Sequence, residues 1–561
     1  MNGEKSPPAS GRSVGRTAFI VAAMTLVSRV GGLIREQLMG YFFGTGMEKS
    51  ALDVAFRIPN LFRRLFGEGA LSAALIPVYT ETLRNDGKAE ADRLAAGVAG
   101  TMVGFLSLVT VAGIALTYPL ARLLKSGLLQ NWPALARHFP LDDRWEQILT
   151  LLRILFPYAP LICLAALIMG VLNSLKSFAI PALAPAFLNL CWILALVFVC
   201  PFLPAEGNSR IQAVAWAILL SGVVQVAVQL PVLAKHGVPR RLLFGMTRHP
   251  KVRRVFRLMF PMAIAAGVVQ VNVCLDSFLA MVAGEWGPSV LGFADRLIYF
   301  PLAIFGTAFA TVLLPTFSSS AAAGDFQSFH GDLQRSMATM CAILLPSTAG
   351  LMALAVPLVS LIYEMGAFDA LSTTRTARAL LAYAVGLVAA GGAKIAPQAF
   401  YALKETKTPV NIGLGCVGLN LFLNLFFLWI LPFEWKPIGI AFATSISSFV
   451  QCVVLLHLLS RREYGSIRLF RWKPFMRPFL SSLAASAGMG VCTWKGYGWI
   501  GRAVAALLPA APGKLLEAIA VAAAIGAAVA LYSLLLYLLC PSLLRDAAGM
   551  LRRRKRRPPP S

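Results

Sequence analysis

Charge is the scarcest commodity in this chain: only 14% of its 561 residues are Asp, Glu, Lys or Arg, against about 25% in an ordinary soluble domain. Acids are scarcer still, 25 against 51 Lys and Arg, which leaves a net charge of +26. Histidine is down to five (His138, His236, His249, His330 and His457), none in an H-E-x-x-H pattern or in register with a partner acid. No Walker-type glycine loop is present, so ATP hydrolysis by this chain is not expected. The nine cysteines (Cys163, Cys191, Cys200, Cys274, Cys341, Cys416, Cys452, Cys492 and Cys540) form no C-x-x-C pair and all fall in apolar stretches. They are expected to behave as small buried apolar residues and not as a metal site or a disulfide framework. A cleavable signal is also missing, because the first apolar run, from about Thr17, is too long and flows straight into further runs.

What the chain has in abundance is apolar sequence, 58% by residue, with a mean hydropathy of +0.71. It comes in long runs separated by short charged links, which excludes a soluble enzyme and a disordered chain alike. The fold class expected is an all-α polytopic membrane protein. At roughly 20 residues per crossing, fourteen spans are predicted. The first six cover about 17–41, 51–80, 94–120, 148–172, 181–202 and 212–233. The next six cover 255–282, 290–317, 337–363, 377–403, 411–431 and 438–459, and the last two 475–493 and 515–539. The predicted organisation is a segment 1–16, a first lobe 17–236, a basic link 237–254, a second lobe 255–460, a basic link 461–474, two further spans within 475–540, and a basic tail 541–561.

The excess of cations would suggest nucleic acid in a soluble protein; in a membrane protein it sets orientation and touches anionic lipid, so no nucleic-acid partner is expected. The link after span six carries Lys235, Arg240, Arg241, Arg248, Lys251, Arg253, Arg254 and Arg257 without an acid. The link after span twelve carries Arg461, Arg462, Arg468, Arg471, Lys473 and Arg477 against Glu463, and the tail ends in Arg552, Arg553, Arg554, Lys555, Arg556 and Arg557. All three lie on one side if both termini are cytoplasmic, as the positive-inside rule prefers.

An internal repeat is visible. Ala55-Phe56-Arg57 with Leu65-Phe66-Gly67 matches Ala294-Asp295-Arg296 with Ile304-Phe305-Gly306, each stretch running on to a proline, Pro77 and Pro315. Span two matching span eight implies a six-span unit used twice as a parallel repeat, an architecture of alternating-access transporters.

The most informative residues are those that do not belong in lipid: Arg29, Arg35 and Glu36 in span one, Asp53, Arg57, Arg63, Arg64 and Glu68 in span two, and Asp295 with Arg296 in span eight. A charge at the bilayer centre costs roughly 2.5–3.5 kcal/mol on insertion scales, so together they are expected to face one another or water. Those near span ends could instead snorkel. Asp53 and Glu68 stand four residues from Arg57 and Arg64 and are expected to pair with them. The remaining surplus of guanidinium suits a phosphate-bearing ligand, whose oxygens match its planar fork. A weaker grouping, Asp276 in span seven, Asn420 and Asn424 in span eleven and Thr444 in span twelve, offers oxygen ligands for sodium, or serves as interhelical hydrogen bonding.

The residues Ser28-Arg29-Val30-Gly31-Gly32-Leu33-Ile34-Arg35-Glu36, the run from Phe56 to Ala70 (FRIPNLFRRLFGEGA), Ala294-Asp295-Arg296-Leu297 and the link Tyr401 to Pro409 (YALKETKTP) resemble the MurJ (MviN) family of lipid II flippases, over about residues 15–465. The resemblance implies the multidrug/oligosaccharidyl-lipid/polysaccharide exporter superfamily and two six-helix lobes around a cationic cavity. It also implies a lipid-tail groove at spans thirteen and fourteen, and carriage of undecaprenyl-pyrophosphate-linked peptidoglycan precursor across the bacterial cytoplasmic membrane. It assigns substrate contacts to Arg29, Arg35, Arg63 and Arg296, acidic partners to Glu68 and Asp295, and a sodium site in some members to Asp276, Asn420, Asn424 and Thr444. Cell-wall synthesis machinery is an expected partner. Two positions depart from the family pattern: Ser50 stands where an aspartate is expected, with Asp53 one turn later, and Tyr299 stands where some members carry an acid. The alternatives are a drug/cation antiporter of the same superfamily, a polytopic cell-wall glycosyl polymerase using Asp142, Asp143 or Glu146 of an external link, and a non-transporting scaffold. Arginine surplus and span number argue against the antiporter, and a scaffold has no use for buried arginines.

Overall fold

The computed structural model describes residues 11–67, 70–126, 143–238, 249–303, 307–464, 466–541 and 543, and these are almost wholly helical. Much of the predicted link 237–254, the external link and the tail lies outside them, as does Glu68. The contacts divide the chain into two units, Met1–Glu285 and Trp286–Ser561. The predicted lobe boundary at 255 precedes this division by one helix.

In the first unit, α1 spans Gly11–Phe43 and stops at Gly44, whose φ of +55° suits a residue without a Cβ. Then follow α2 (Met47–Phe62), a π-helical turn (Arg63–Gly67), α3 (Ala70–Asn85) and α4 (Lys88–Lys125). The predicted second span is therefore two helices in series. After α4 come α5 (Asp143–Leu155) and α6 (Tyr158–Ser174), bent by 41° at Pro157, so the predicted fourth span is also broken. The unit closes with α7 (Ala179–Phe198), α8 (Ser209–Lys235) and α9 (Val252–Ala283). Its core gathers Leu52, Leu71, Leu94, Leu151, Leu167 and Ile218. Apolar on nearly every face, α6 is buried along most of its length. Helix α9 packs along α2 and α3 and so belongs here.

In the second unit, α10 (Gly287–Pro301) and α11 (Thr307–Ala322) again split one predicted span, with Pro315 inside α11 as Pro77 lies inside α3. Both sequence repeats thus run from the helix that carries the arginine into π-helical backbone, at Arg63–Gly67 and at 302–303. Next come α12 (Phe326–Ala353), α13 (Ala355–Tyr363), α14 (Ala370–Ala402), α15 (Lys407–Ile430) and α16 (Lys436–Arg461). A two-stranded hairpin, β1 (Glu463–Tyr464) and β2 (Ile467–Arg468), leads to α17 (Trp472–Leu507) and α18 (Gly513–Leu539). Close approach of α14 to α16 is permitted by Gly386, where a Cβ would come within 2.6 Å of the Ser445 Cα. The two C-terminal helices are fixed to α12 through Ala338, Ala342, Ala485, Met489 and Ala528, and the Tyr532 hydroxyl donates to the Ala342 carbonyl at 2.6 Å.

Among the described residues eight helices are long and apolar enough to cross a membrane, or nine if α5 and α6 form one broken span. The predicted spans one, two, seven, eight and thirteen are not among them. All nine cysteines are free. Six are buried as expected, whereas Cys492 is exposed on α17, a departure from the small-core-residue expectation.

Candidate functional site

Five polar side chains meet where α1, α2 and α7 pack. Arg35 is 6% exposed and donates to Asn189 Oδ1 at 3.0 Å and to Glu36 Oε1 at 2.6 Å. Its guanidinium also lies 4.4 Å from the centre of the Trp192 ring. The second oxygen of Glu36 lies 3.7 Å from Lys49 Nζ, and Lys49, 3% exposed, reaches Asp53 Oδ1 at 2.6 Å. Two cations and two anions cancel, which is how such charges are tolerated away from water. Asp53 is therefore engaged by Lys49 and not by Arg57, correcting the expected pairing. Arg57 makes no side-chain hydrogen bond or ion pair among the described residues, although it is close enough to Asp53 and Cys274 to interact electrostatically.

Arg57 and Arg64 both come close enough to Cys274 of α9 to interact with it electrostatically, although a π turn begins at Arg63 between them. Arg63 lines a small cavity of about 30 Å³ with Gln225, Gln229 and Met169. Arg64 points elsewhere, is exposed, and donates to Gln270 Oε1 at 3.0 Å. Arg29 is exposed on α1, one turn and a half before Arg35. Asn189 ties this helix down: its Nδ2 donates to the Ser28 carbonyl at 2.9 Å, and Gly31 faces it at a distance a Cβ would bring to 3.4 Å.

In the second unit, Asp295 is half-buried and Arg296 exposed on α10. Asp295 is close enough to Lys394 of α14 to interact electrostatically, and Lys394 Nζ stands 5.7 Å from the centre of the Tyr299 ring. The position where an acid was missing thus presents an aromatic face to a cation.

The weaker grouping draws on both units, three of its residues belonging to the second. Asn424 Nδ2 donates to Asn420 Oδ1 at 3.0 Å, and Asn420 Nδ2 donates to Thr444 Oγ1 at 3.4 Å, joining α15 to α16. Asp276, in the first unit, accepts from Asn272 one turn earlier at 3.3 Å. Oxygen donors of the kind sodium takes are present in the Asn420–Asn424–Thr444 set. No cluster of three or more His, Cys, Asp and Glu side chains occurs among the described residues.

Sequence reasoning overlooked Lys49, Asn189 and Lys394. Asn189 is a lone polar residue in an apolar helix, and that alone was a signal. At the basic link, Arg254 pairs with Glu81 at 3.0 Å and Lys251 pairs with Asp86.

Interrupted apolar helices with paired charges inside them define a helical membrane transporter. The fold is that of a solved lipid II flippase MurJ in an inward closed conformation (TM-score 0.71, 24% identity, covering 94% of this chain and all of that one). A multidrug resistance MATE family transporter of the MOP superfamily shares it more distantly (TM-score 0.58, 15% identity, 78% of this chain and 96% of that one). A model of the lipid II flippase MurJ family matches residues 39–499. The lipid II flippase MurJ of Burkholderia cenocepacia is 35% identical over 455 residues, 80% of this chain and 84% of that protein. A relative from Bdellovibrio bacteriovorus, named probable lipid II flippase MurJ, is 31% identical over 531 residues, 94% of this chain and 95% of its own length. The chain belongs to the lipid II flippase MurJ family, and so to transporters and not enzymes.

Proposed function

We propose that this protein moves lipid II, the undecaprenyl-pyrophosphate-linked peptidoglycan precursor, from the inner to the outer leaflet of the bacterial cytoplasmic membrane by alternating access. Family membership over four fifths of the chain carries this reading. The surplus of arginine over acid in α1, α2 and α10 supports it against a cation antiporter, which wants the opposite sign. Fourteen spans, in two six-helix lobes with α17 and α18 added, and both termini cytoplasmic, complete the proposed topology.

Capture of the pyrophosphate falls to Arg29, Arg35, Arg63 and Arg296, with Arg57 and Arg64 adding positive potential. Glu68, Asp53 and Asp295 hold the cations in place, and the prenyl chain follows α17 and α18. In the described arrangement Arg35 is committed to Glu36 and Asn189, so capture begins at Arg29, and Arg35 exchanges partners as the helix moves. Export of negative charge runs with an inside-negative potential, at roughly 2.3 kcal/mol per charge per 100 mV. Sodium held by Asn420, Asn424 and Thr444, with Asp276, would supply a hard cation to drive the return.

The test is depletion in the host with lipid II scored by leaflet. Accumulation in the inner leaflet, relieved by the wild-type chain but not by Arg29→Ala or Arg63→Ala, is the expected result. Normal arrival of lipid II in the outer leaflet would overturn it.

A further inference from the structure

One end of the second unit holds a recess of about 1190 Å³, where the end of α16, the β1–β2 hairpin, the start of α17 and the end of α18 meet. Four cationic side chains line it: Arg468, Arg471, Lys473 and Arg477. Glu463 takes Arg468 at 2.5 Å, but Arg471, Lys473 and Arg477 make no ion pair or side-chain hydrogen bond among the described residues. Phe470 and Trp472 meet edge to face at 5.3 Å in the same wall. The mouth is held rigidly: α12 donates from Gln334 Nε2 to the Arg471 carbonyl at 2.8 Å, and His330 Nδ1 is 3.1 Å from the Leu469 carbonyl. Arg471 itself is the N-cap of α17, in extended backbone, and supplies no side-chain cap, so first-turn N–H groups are left for another acceptor.

The recess does not end in a polar wall. Leu539 lines it, and Leu538 beside it is 68% exposed, while Leu480 and Leu483 continue an exposed apolar flank on α17. Uncancelled cations over an apolar flank match a molecule with an anionic head and hydrocarbon tails. A soluble anion would leave the flank unused, and a zwitterionic lipid would leave the cations uncancelled.

The geometry points to a binding site for an anionic glycerophospholipid, its phosphodiester on Arg471, Lys473 and Arg477 and its acyl chains along α17 and α18. Its headgroup residues include none of the arginines of α1, α2 and α10, and the inference does not depend on what the protein transports. The lipid fastens the α16–α17 link to the leaflet beside it.

The test uses the full-length protein in nanodiscs with a diazirine-bearing phosphatidylglycerol probe and a matched phosphatidylcholine probe. We expect crosslinks on peptides containing Trp472–Arg477 and Leu539, favouring the anionic probe by about tenfold or more, since each basic residue near an anionic headgroup contributes measurably. Arg471→Gln with Lys473→Gln and Arg477→Gln should abolish the preference, while Arg471→Lys with Arg477→Lys should keep most of it. These side chains are exposed, so folding is not at stake. Three results would each overturn the site: equal labelling by the two probes, a preference that survives the triple substitution, or displacement of the lipid by millimolar inorganic pyrophosphate. A stronger affinity for a polyprenyl pyrophosphate than for phosphatidylglycerol would also overturn it, by placing the recess on the transport path.

Discussion

Asn189 holds Arg35 across 154 positions of sequence, accepting a 3.0 Å hydrogen bond from its guanidinium while donating to the carbonyl of Ser28 one helical stretch earlier. One amide thus fixes both the side chain and the backbone of α1 against α7. Asn189→Ala leaves a buried guanidinium nitrogen without its acceptor and should cost about 1–3 kcal/mol. Thermal unfolding of the purified variant reads this directly. A melting temperature equal to that of the wild type would mean that the pair contributes nothing.

Lys49 is the only cation within reach of both Glu36 and Asp53 among the described ion pairs. Removing it in Lys49→Met leaves two carboxylates facing each other in a poorly hydrated site, at a cost of about 3 kcal/mol or more. Adding Asp53→Leu should recover part of that loss. A double-mutant cycle measured by denaturation tests this, and simple additivity of the two changes would refute the coupling.

Lys394 supports Asp295 from α14, and in the proposed transport cycle it keeps that carboxylate beside Arg296. Lys394→Met should fold, yet reduce lipid II transport about tenfold or more, whereas Lys394→Arg should retain most of it. Outer-leaflet lipid II in a depletion strain provides the measurement. Full transport by the methionine variant would remove Lys394 from the site.

Asp369 caps α14, accepting from the Ser372 N–H at 2.8 Å, and that bond together with the Ser372 hydroxyl holds its carboxyl below the usual carboxylate range. A depressed value means that the stabilisation is complete above about pH 4, where the unfolded group is ionised, and disappears as pH falls through the folded value. Asp369→Ala should cost about 0.5–1 kcal/mol at neutral pH, solvent exposure keeping it small. The gap between variant and wild-type melting temperatures should close in acid; a gap independent of pH would rule out the charged cap.

Much of the architecture was legible because lipid imposes it. Long apolar runs announce helices, and the match of Ala55–Gly67 to Ala294–Gly306 announced a repeat whose two copies are both interrupted helices. The interruptions themselves were not legible, since Pro59, Pro77 and Pro157 mark places where a helix can break without saying which of them break it. Arg29, Arg35, Arg63 and Arg296 stood out because charge in lipid is costly. Their partners did not, because pairing depends on which helices pack. Asp53 had two cations at helical spacing, Lys49 and Arg57, and only the packing of α1 on α2 selects Lys49. Asn189 lies in a different helix from the residue it holds, a relationship no local pattern encodes.

The Asn189 contact also dates events on the ribosome. When Arg35 emerges, its amide partner has yet to be synthesised, and at about 5–20 residues per second the wait is on the order of ten to thirty seconds. Through that interval Glu36 is the neighbour on α1 that pairs with its arginine, so α1 must linger at the lipid–water boundary or inside the insertion machinery. Release of α1 into its final place is then tied to the arrival of α7, which makes the first unit a structure that assembles late and all together, not helix by helix in order of birth.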